Sequence, residues 1–142
     1  MKFIKANDKI INLQNVSSVN FLPNRIAFDF NCPVQLDSGK LISYYAYDDK
    51  GKKEDLLKNT FVKSEFIQYS HGLINKNNIC AIKYIDRQNR IVINFSHSTT
   101  SAGYDGTERI TSKFMYLDFD TSIEYKNFKD YINAKIGIDS KN

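Results

Sequence analysis

A chain of 142 residues, 42% hydrophobic and 25% charged, is long enough to bury a core and has the composition of an ordinary globular domain. No apolar run approaches the roughly 20 residues of a membrane span, and Met1-Lys2-Phe3-Ile4-Lys5 turns polar too soon for the apolar stretch of a signal peptide, so a cytoplasmic protein with no membrane role is expected. The net charge of +4 and pI near 9.0 permit an anionic partner without requiring one, because Asn, Ile and Lys supply about a third of the residues, a bias that an AT-rich bacterial or mobile-element genome imposes on any protein.

The chain opens on a short apolar segment, Phe3-Ile4, and a polar turn, Asn7-Asp8-Lys9. Ile10 to Phe21 is rich in β-branched residues and predicts one strand, with an irregularity between Val16 and Val19 where strict alternation breaks. Ile26, Phe28 and Phe30 then alternate with Ala27, Asp29 and Asn31, the pattern of a half-buried antiparallel strand. The turn Asp37-Ser38-Gly39 leads into a fourth strand with Leu41, Ser43, Tyr45 and Tyr47 on one face and Ile42, Tyr44 and Ala46 on the other. Helical spacing follows, carried by Leu57 and Phe61.

From Phe66 the same order begins again. Phe3-Ile4 matches Phe66-Ile67, Ile11-Asn12 matches Ile74-Asn75, Asn15-Val16 matches Asn78-Ile79, Val19 matches Ile82 and Phe21 matches Tyr84. After a slip of two residues, Asn24-Arg25-Ile26 meets Asn89-Arg90-Ile91, and Phe28 and Phe30 meet Ile93 and Phe95. On the fourth strand, Tyr45 and Tyr47 are matched with Phe114 and Tyr116, after the turn Asp105-Gly106-Thr107. Thr121 and Glu124 make a capping box before a helix carrying Tyr125, Phe128, Ile132 and Ile136.

Self-similarity of this length predicts an internal duplication of a β-β-β-β-α unit. The expected fold is α+β, with antiparallel sheets, eight strands and two helices in a pseudo-twofold arrangement. Its repeats are 1–63 and 64–136 with a tail over 137–142, joined through Lys63-Ser64-Glu65 into a single compact domain. Cys32 and Cys80 are not equivalent in the two halves, so they are expected to be buried free thiols and not a disulfide.

Two resemblances bear on function. The run Ile74-Asn75, Asn78-Ile79 and Ile82, followed by an alternating strand, a Gly turn, a strand and a helix, resembles the short flagellar FlbD-type proteins of bacteria, although their Asn-Gly turn is absent. In topology, tandem ββββα units are similar to the single-stranded nucleic-acid binders of the PC4, Whirly and Pur-α group. That resemblance implies a curved sheet gripping single-stranded DNA or RNA, as a homodimer or as an internal duplicate.

Catalytic chemistry finds little support. His71 and His97 have no histidine at the matching positions, Asp8 and Cys32, and no metal-ligand spacing joins them to Cys80. The loop from Ser101 through Gly103, Tyr104, Asp105 and Gly106 to Thr107 lacks the Lys-Ser/Thr of a phosphate loop and precedes a strand. Asp48-Asp49 and Asp118 with Asp120 sit where carboxylates cap helices. No catalytic residue, metal or cofactor is therefore expected.

Binding has more to work with. Tyr45, Tyr47, Phe114 and Tyr116 form a stacking platform if their face looks outward, or core if the helices cover it. Arg25 and Arg90, repeated in the two halves, would contact phosphates with Lys113 and with Lys50, Lys52 and Lys53. Three readings follow: a single-stranded nucleic-acid binder; a protein-interaction or oligomerisation module with an exposed apolar patch or a free sheet edge; and an enzyme or small-ligand binder with a pocket at the junction of the halves, uniting His97, Tyr104 and Asp105.

Overall fold

A computed structural model describes residues 2–6, 9–35, 38–39, 41–48, 51–102 and 108–138, with the side chains of 32–35, 41–44, 47, 97–102 and 108–112 outside the description. The fold is α+β with antiparallel sheets, as the alternation predicts, but the described residues form ten strands and three helices where eight and two were expected. Asparagine side chains make the difference. The predicted strand over 10–21 breaks because Asn12 Oδ1 accepts the Gln14 N–H at 3.0 Å, winding Leu13–Asn15 into one 3-10 turn between β2 (Lys9–Asn12) and β3 (Val16–Leu22). β1 (Phe3–Ala6) pairs with β2 as a separate two-stranded sheet. The first helix breaks at Asn59, whose extended backbone ends α1 (Lys52–Lys58) and whose Oδ1 accepts from the Phe61 and Val62 N–H groups to start α2 (Thr60–Glu65).

The chain divides into compact units Met1–Asn77 and Asn78–Asn142, later than the boundary expected at 63/64. In the first unit β3 pairs with β4 (Arg25–Gln35), β4 with β5 (Leu41–Asp48), and the other edge of β3 takes the hairpin β6 (Phe66–Tyr69)–β7 (Gly72–Asn75), giving the order β5-β4-β3-β7-β6. That five-stranded sheet departs from the four strands per repeat of the Whirly-type topology. Its core joins Val19, Ile26, Phe28, Phe66 and Leu73 to Leu56 and Val62 of the helices and to Ala6 and Ile11 of the first hairpin. The irregularity expected between Val16 and Val19 is a register shift between Val16 and Ser18.

β7 approaches β3 closely, in the pairs Ser18 with Ile74, Val19 with Leu73 and Asn20 with Gly72. A Cβ on Gly72 would fall inside the carbonyl oxygen of Val19, so only glycine fits there. The same bare position lets the Tyr69 hydroxyl, opposite Gly72 on β6, reach Asn20 Oδ1 at 2.9 Å. Asp29 Oδ2 accepts from Ser18 Oγ at 2.9 Å and from Asn20 Nδ2 at 3.4 Å, completing a polar network. Burial, and secondarily the Asp29 charge, push the Tyr69 hydroxyl from 10.0 up to about 12. A raised folded-state value stabilises below the unfolded value and loses that contribution as pH rises through the folded one. Tyr69→Phe should therefore be less stable than the parent by about 1 kcal/mol at neutral pH, with the deficit shrinking between pH 10 and about 12. Urea melts across that range measure it, and a constant deficit would refute the assignment.

In the second unit β8 (Ile79–Ile85), β9 (Arg90–Ala102) and β10 (Glu108–Asp118) form a three-stranded sheet in the order β10-β9-β8. A second 3-10 turn, Lys76–Asn78, precedes β8, and Asn75 Oδ1 accepts the Asn77 N–H at 3.1 Å, as Asn12 does at its own turn. β8 and β9 shift register between Ile79 and Ala81, matching the shift between Val16 and Ser18. Asn24 and Asn89 both adopt the left-handed conformation, with φ 61° and 50°. α3 (Ser122–Ile136) begins at Thr121, whose Oγ1 accepts the Glu124 N–H at 3.2 Å as the capping box predicts, and ends on Gly137. Ile91, Ile93, Phe95 and Leu117 of the sheet are buried, with Tyr125 and Ile132 of the helix. Cys80 is a free thiol and is exposed, contrary to the expected burial, because it falls at the shift in an edge strand.

Candidate nucleic-acid interface

Alternation along β10 decides which residues meet solvent. Leu117 turns inward with Ile91, and Met115 stands opposite the buried Ile93, so Phe114 and Tyr116 project from the other face, each 52% exposed. Their rings pack edge to face at 5.2 Å and 66°. The registers set out three rows across β8, β9 and β10: Ile85, Arg90 and Asp118; Lys83, Val92 and Tyr116; Ala81, Asn94 and Phe114. Arg90 lies 4.8 Å from the Tyr116 ring and grips Asp118 through Nε to Oδ1 at 2.6 Å and Nη2 to Oδ2 at 3.2 Å. That carboxylate raises the guanidinium above its usual value, so Arg90 stays charged and fixed over the ring.

The four aromatics matched in sequence do not share an environment. Tyr45 stands opposite the fully buried Phe28 and packs half-buried against the core of the first unit, with the Lys9 ammonium 5.6 Å from its ring. Phe28 corresponds to Ile93, and Ile93 pairs with Met115, so Tyr45 corresponds to Met115 and not to Phe114. The match on the fourth strand is one residue out, and a one-residue slip exchanges the two faces of a strand. Tyr47 pairs with Ile26 along the backbone, but its side chain lies outside the described residues, as does all of Lys50.

The cations are likewise dispersed. Arg25 is exposed opposite Asp48, the position Arg90 holds opposite Asp118. The Lys113 ammonium stands 5.9 Å from buried Phe95, at the register shift between Ser112 and Phe114. Lys53 lies 5.0 Å from the Phe21 ring, and Lys52 is half-buried. Sequence reasoning missed Lys83 and Asn94, although Ala81, Lys83 and Ile85 already alternate with Ile82 and Tyr84.

Beyond this face, Asp86 Oδ1 accepts from the Tyr125 hydroxyl at 2.5 Å and from Lys129 at 3.3 Å. The Tyr125 hydrogen bond, then Lys129, hold the Asp86 carboxyl below its usual range. With the bond from Tyr84 to Asn133 Oδ1 at 2.7 Å, these contacts anchor α3 on the end of β8. His71 is exposed beside Tyr69, while the His97 side chain and residues 103–107, with Tyr104 and Asp105, lie outside the described residues. Among the described residues no cluster of three His, Cys, Asp or Glu is placed to hold a metal, and no helix is long and apolar enough to cross a membrane.

No protein-family model matches the chain, and no curated protein matches it. Among solved structures it is similar to a LytTr DNA-binding domain from Bacillus cereus, at 14% identity and a TM-score of 0.45, over 96% of this chain and 95% of that one.

Proposed function

We propose that the protein binds single-stranded nucleic acid, DNA or RNA, on the outer face of β8, β9 and β10. The observation that carries this reading is the pair Phe114 and Tyr116, two adjoining rings half open to solvent and flanked by Lys83 and Arg90. Unpaired bases offer faces to such rings, each stacked base contributing about 1–3 kcal/mol, whereas a duplex keeps its bases stacked on one another. Lys83 lies two strands from Tyr116, roughly 10 Å away, where it supports the phosphate chain of a strand whose base stacks on the ring. Arg25 and Lys113 fall outside this face of the sheet and are not assigned to it.

Fluorescence anisotropy of a labelled mixed-sequence single strand, with a duplex control at low and near-physiological salt, tests the proposal. Tighter binding to the single strand is expected, with a log-log salt slope of about −0.7 to −1.4 for one or two neutralised phosphates. A flat titration, or equal affinity for the duplex, would overturn it. The other reading, an oligomerisation module, draws on different residues: Phe3 and Ile10, 53% and 74% exposed on the first hairpin.

A further inference from the structure

The hairpins β1–β2 and β6–β7 are built alike and used differently. Both pair in the same register, Phe3 with Asn12 and Ile4 with Ile11 in one, Phe66 with Asn75 and Ile67 with Ile74 in the other. β6–β7 lies along the edge of β3, which leaves Phe66 and Leu73 each 2% exposed and Asn75 fully buried. There the Asn75 amide donates to the carbonyls of Leu13 and Val16. Their counterparts on β1–β2 are Phe3 at 53%, Ile10 at 74% and Asn12, half-buried.

The strand that corresponds to β3 is β8, which carries the same register shift and, among the described residues, pairs only with β9. Cys80, Ala81 and Lys83 on it are exposed, where Ser17 and Ser18 on β3 are fully buried. Among the described residues, a hairpin without an edge and an edge without a hairpin thus occur in one chain. Carrying over the pairs of β3 with β7 sets Ala81 against Ile11, Ile82 against Ile10 and Lys83 against Lys9. Ile10 would then be covered as Leu73 is, and the Asn12 amide would face the carbonyls of Lys76 and Ile79.

One row does not carry over. Lys9 stands where Gly72 does, bringing a Cβ to a position at which backbone meets backbone, and it faces Lys83. Like charges directly opposite on paired strands repel, and lysine on an open edge is a common guard against strand addition.

We propose that Lys9 keeps the edge of β8 from taking the β1–β2 hairpin of a second copy of this chain in the register of β7 on β3, and that a glycine at this position opens that association. The contact is heterologous, so it either closes into a ring or runs on head to tail. Sedimentation equilibrium of the full chain, in reductant because Cys80 is exposed, tests it on the parent, Lys9→Gly, Lys9→Ala and Lys9→Gly with Ile10→Asp. Lys9→Gly should self-associate at least about tenfold more tightly than the parent, the equivalent of about 1.4 kcal/mol. Lys9→Ala, which removes the charge and keeps the Cβ, should gain less. Adding Ile10→Asp at this exposed site should return Lys9→Gly to the parent's behaviour. The proposal is overturned if Lys9→Gly sediments as the parent does, or if its association survives Ile10→Asp.

Discussion

Gly72→Ala is expected to destabilise the protein by about 3 kcal/mol or more, an overpacking cost at its upper end, and to lower the melting temperature by roughly 10 °C. The added methyl would meet the Val19 carbonyl, 2.9 Å from its carbon and 3.2 Å from the Asn20 Cα. These atoms belong to the backbone of the middle strand of the sheet, so no side-chain rotation relieves the contact. β7 would have to leave β3, weakening three backbone pairs and drawing the buried Asn75 amide from the Leu13 and Val16 carbonyls. Phe66 and Leu73 would loosen with it. Gly51→Ala supplies the comparison, since Gly51 has φ +83° and open space around it. Its cost is the left-handed backbone alone, about 1–2 kcal/mol. Thermal melts of the two variants should separate clearly. Equal losses would mean that the close approach of β7 to β3 is absent in solution.

Much of this arrangement is legible in the sequence. The broken alternation after Val16 marks the register shift, and Asn24 matched with Asn89 marks two left-handed turns, because a short polar side chain tolerates that backbone. Asn12 matched with Asn75 also held the 3-10 turns, but a run of β-branched residues hides a single side-chain bond to the backbone, and one long strand was the natural expectation. Gly72 follows Ser70 and His71, and in the sequence such a run reads as a turn and nothing more. Its close approach depends on a partner strand far away in sequence, since the hairpin β6–β7 joins the sheet of β3, β4 and β5. The fourth strands were the instructive failure. β9 and β10 run for 13 and 11 residues against 11 and 8 in β4 and β5, so matching by residue type slipped one position and set Tyr45 beside Phe114. Pairing from the other end, where Asp48 meets Arg25 and Asp118 meets Arg90, gives the observed faces.

That slip also sharpens what mutation should do. Replacing Phe114 and Tyr116 together by Ala should weaken single-strand binding by about thirtyfold or more, if each ring stacks one base at the low end of 1–3 kcal/mol. Both rings are half exposed, on the face of the sheet away from the buried Ile91 and Ile93, so the fold should survive with a loss of about 1 kcal/mol or less. Tyr45→Ala should do the reverse. Its ring packs against the core that contains Phe28, and its removal should destabilise by about 2–3 kcal/mol while leaving affinity unchanged. Tyr116→Phe keeps the ring and the contact with Arg90, so it should bind nearly as the parent does. Anisotropy titrations and urea melts on the same preparations separate the two effects. A double variant that binds like the parent would end the stacking interpretation. If Tyr45→Ala lost affinity at full stability, the site would belong to the first unit, on the side of the sheet that now reads as core.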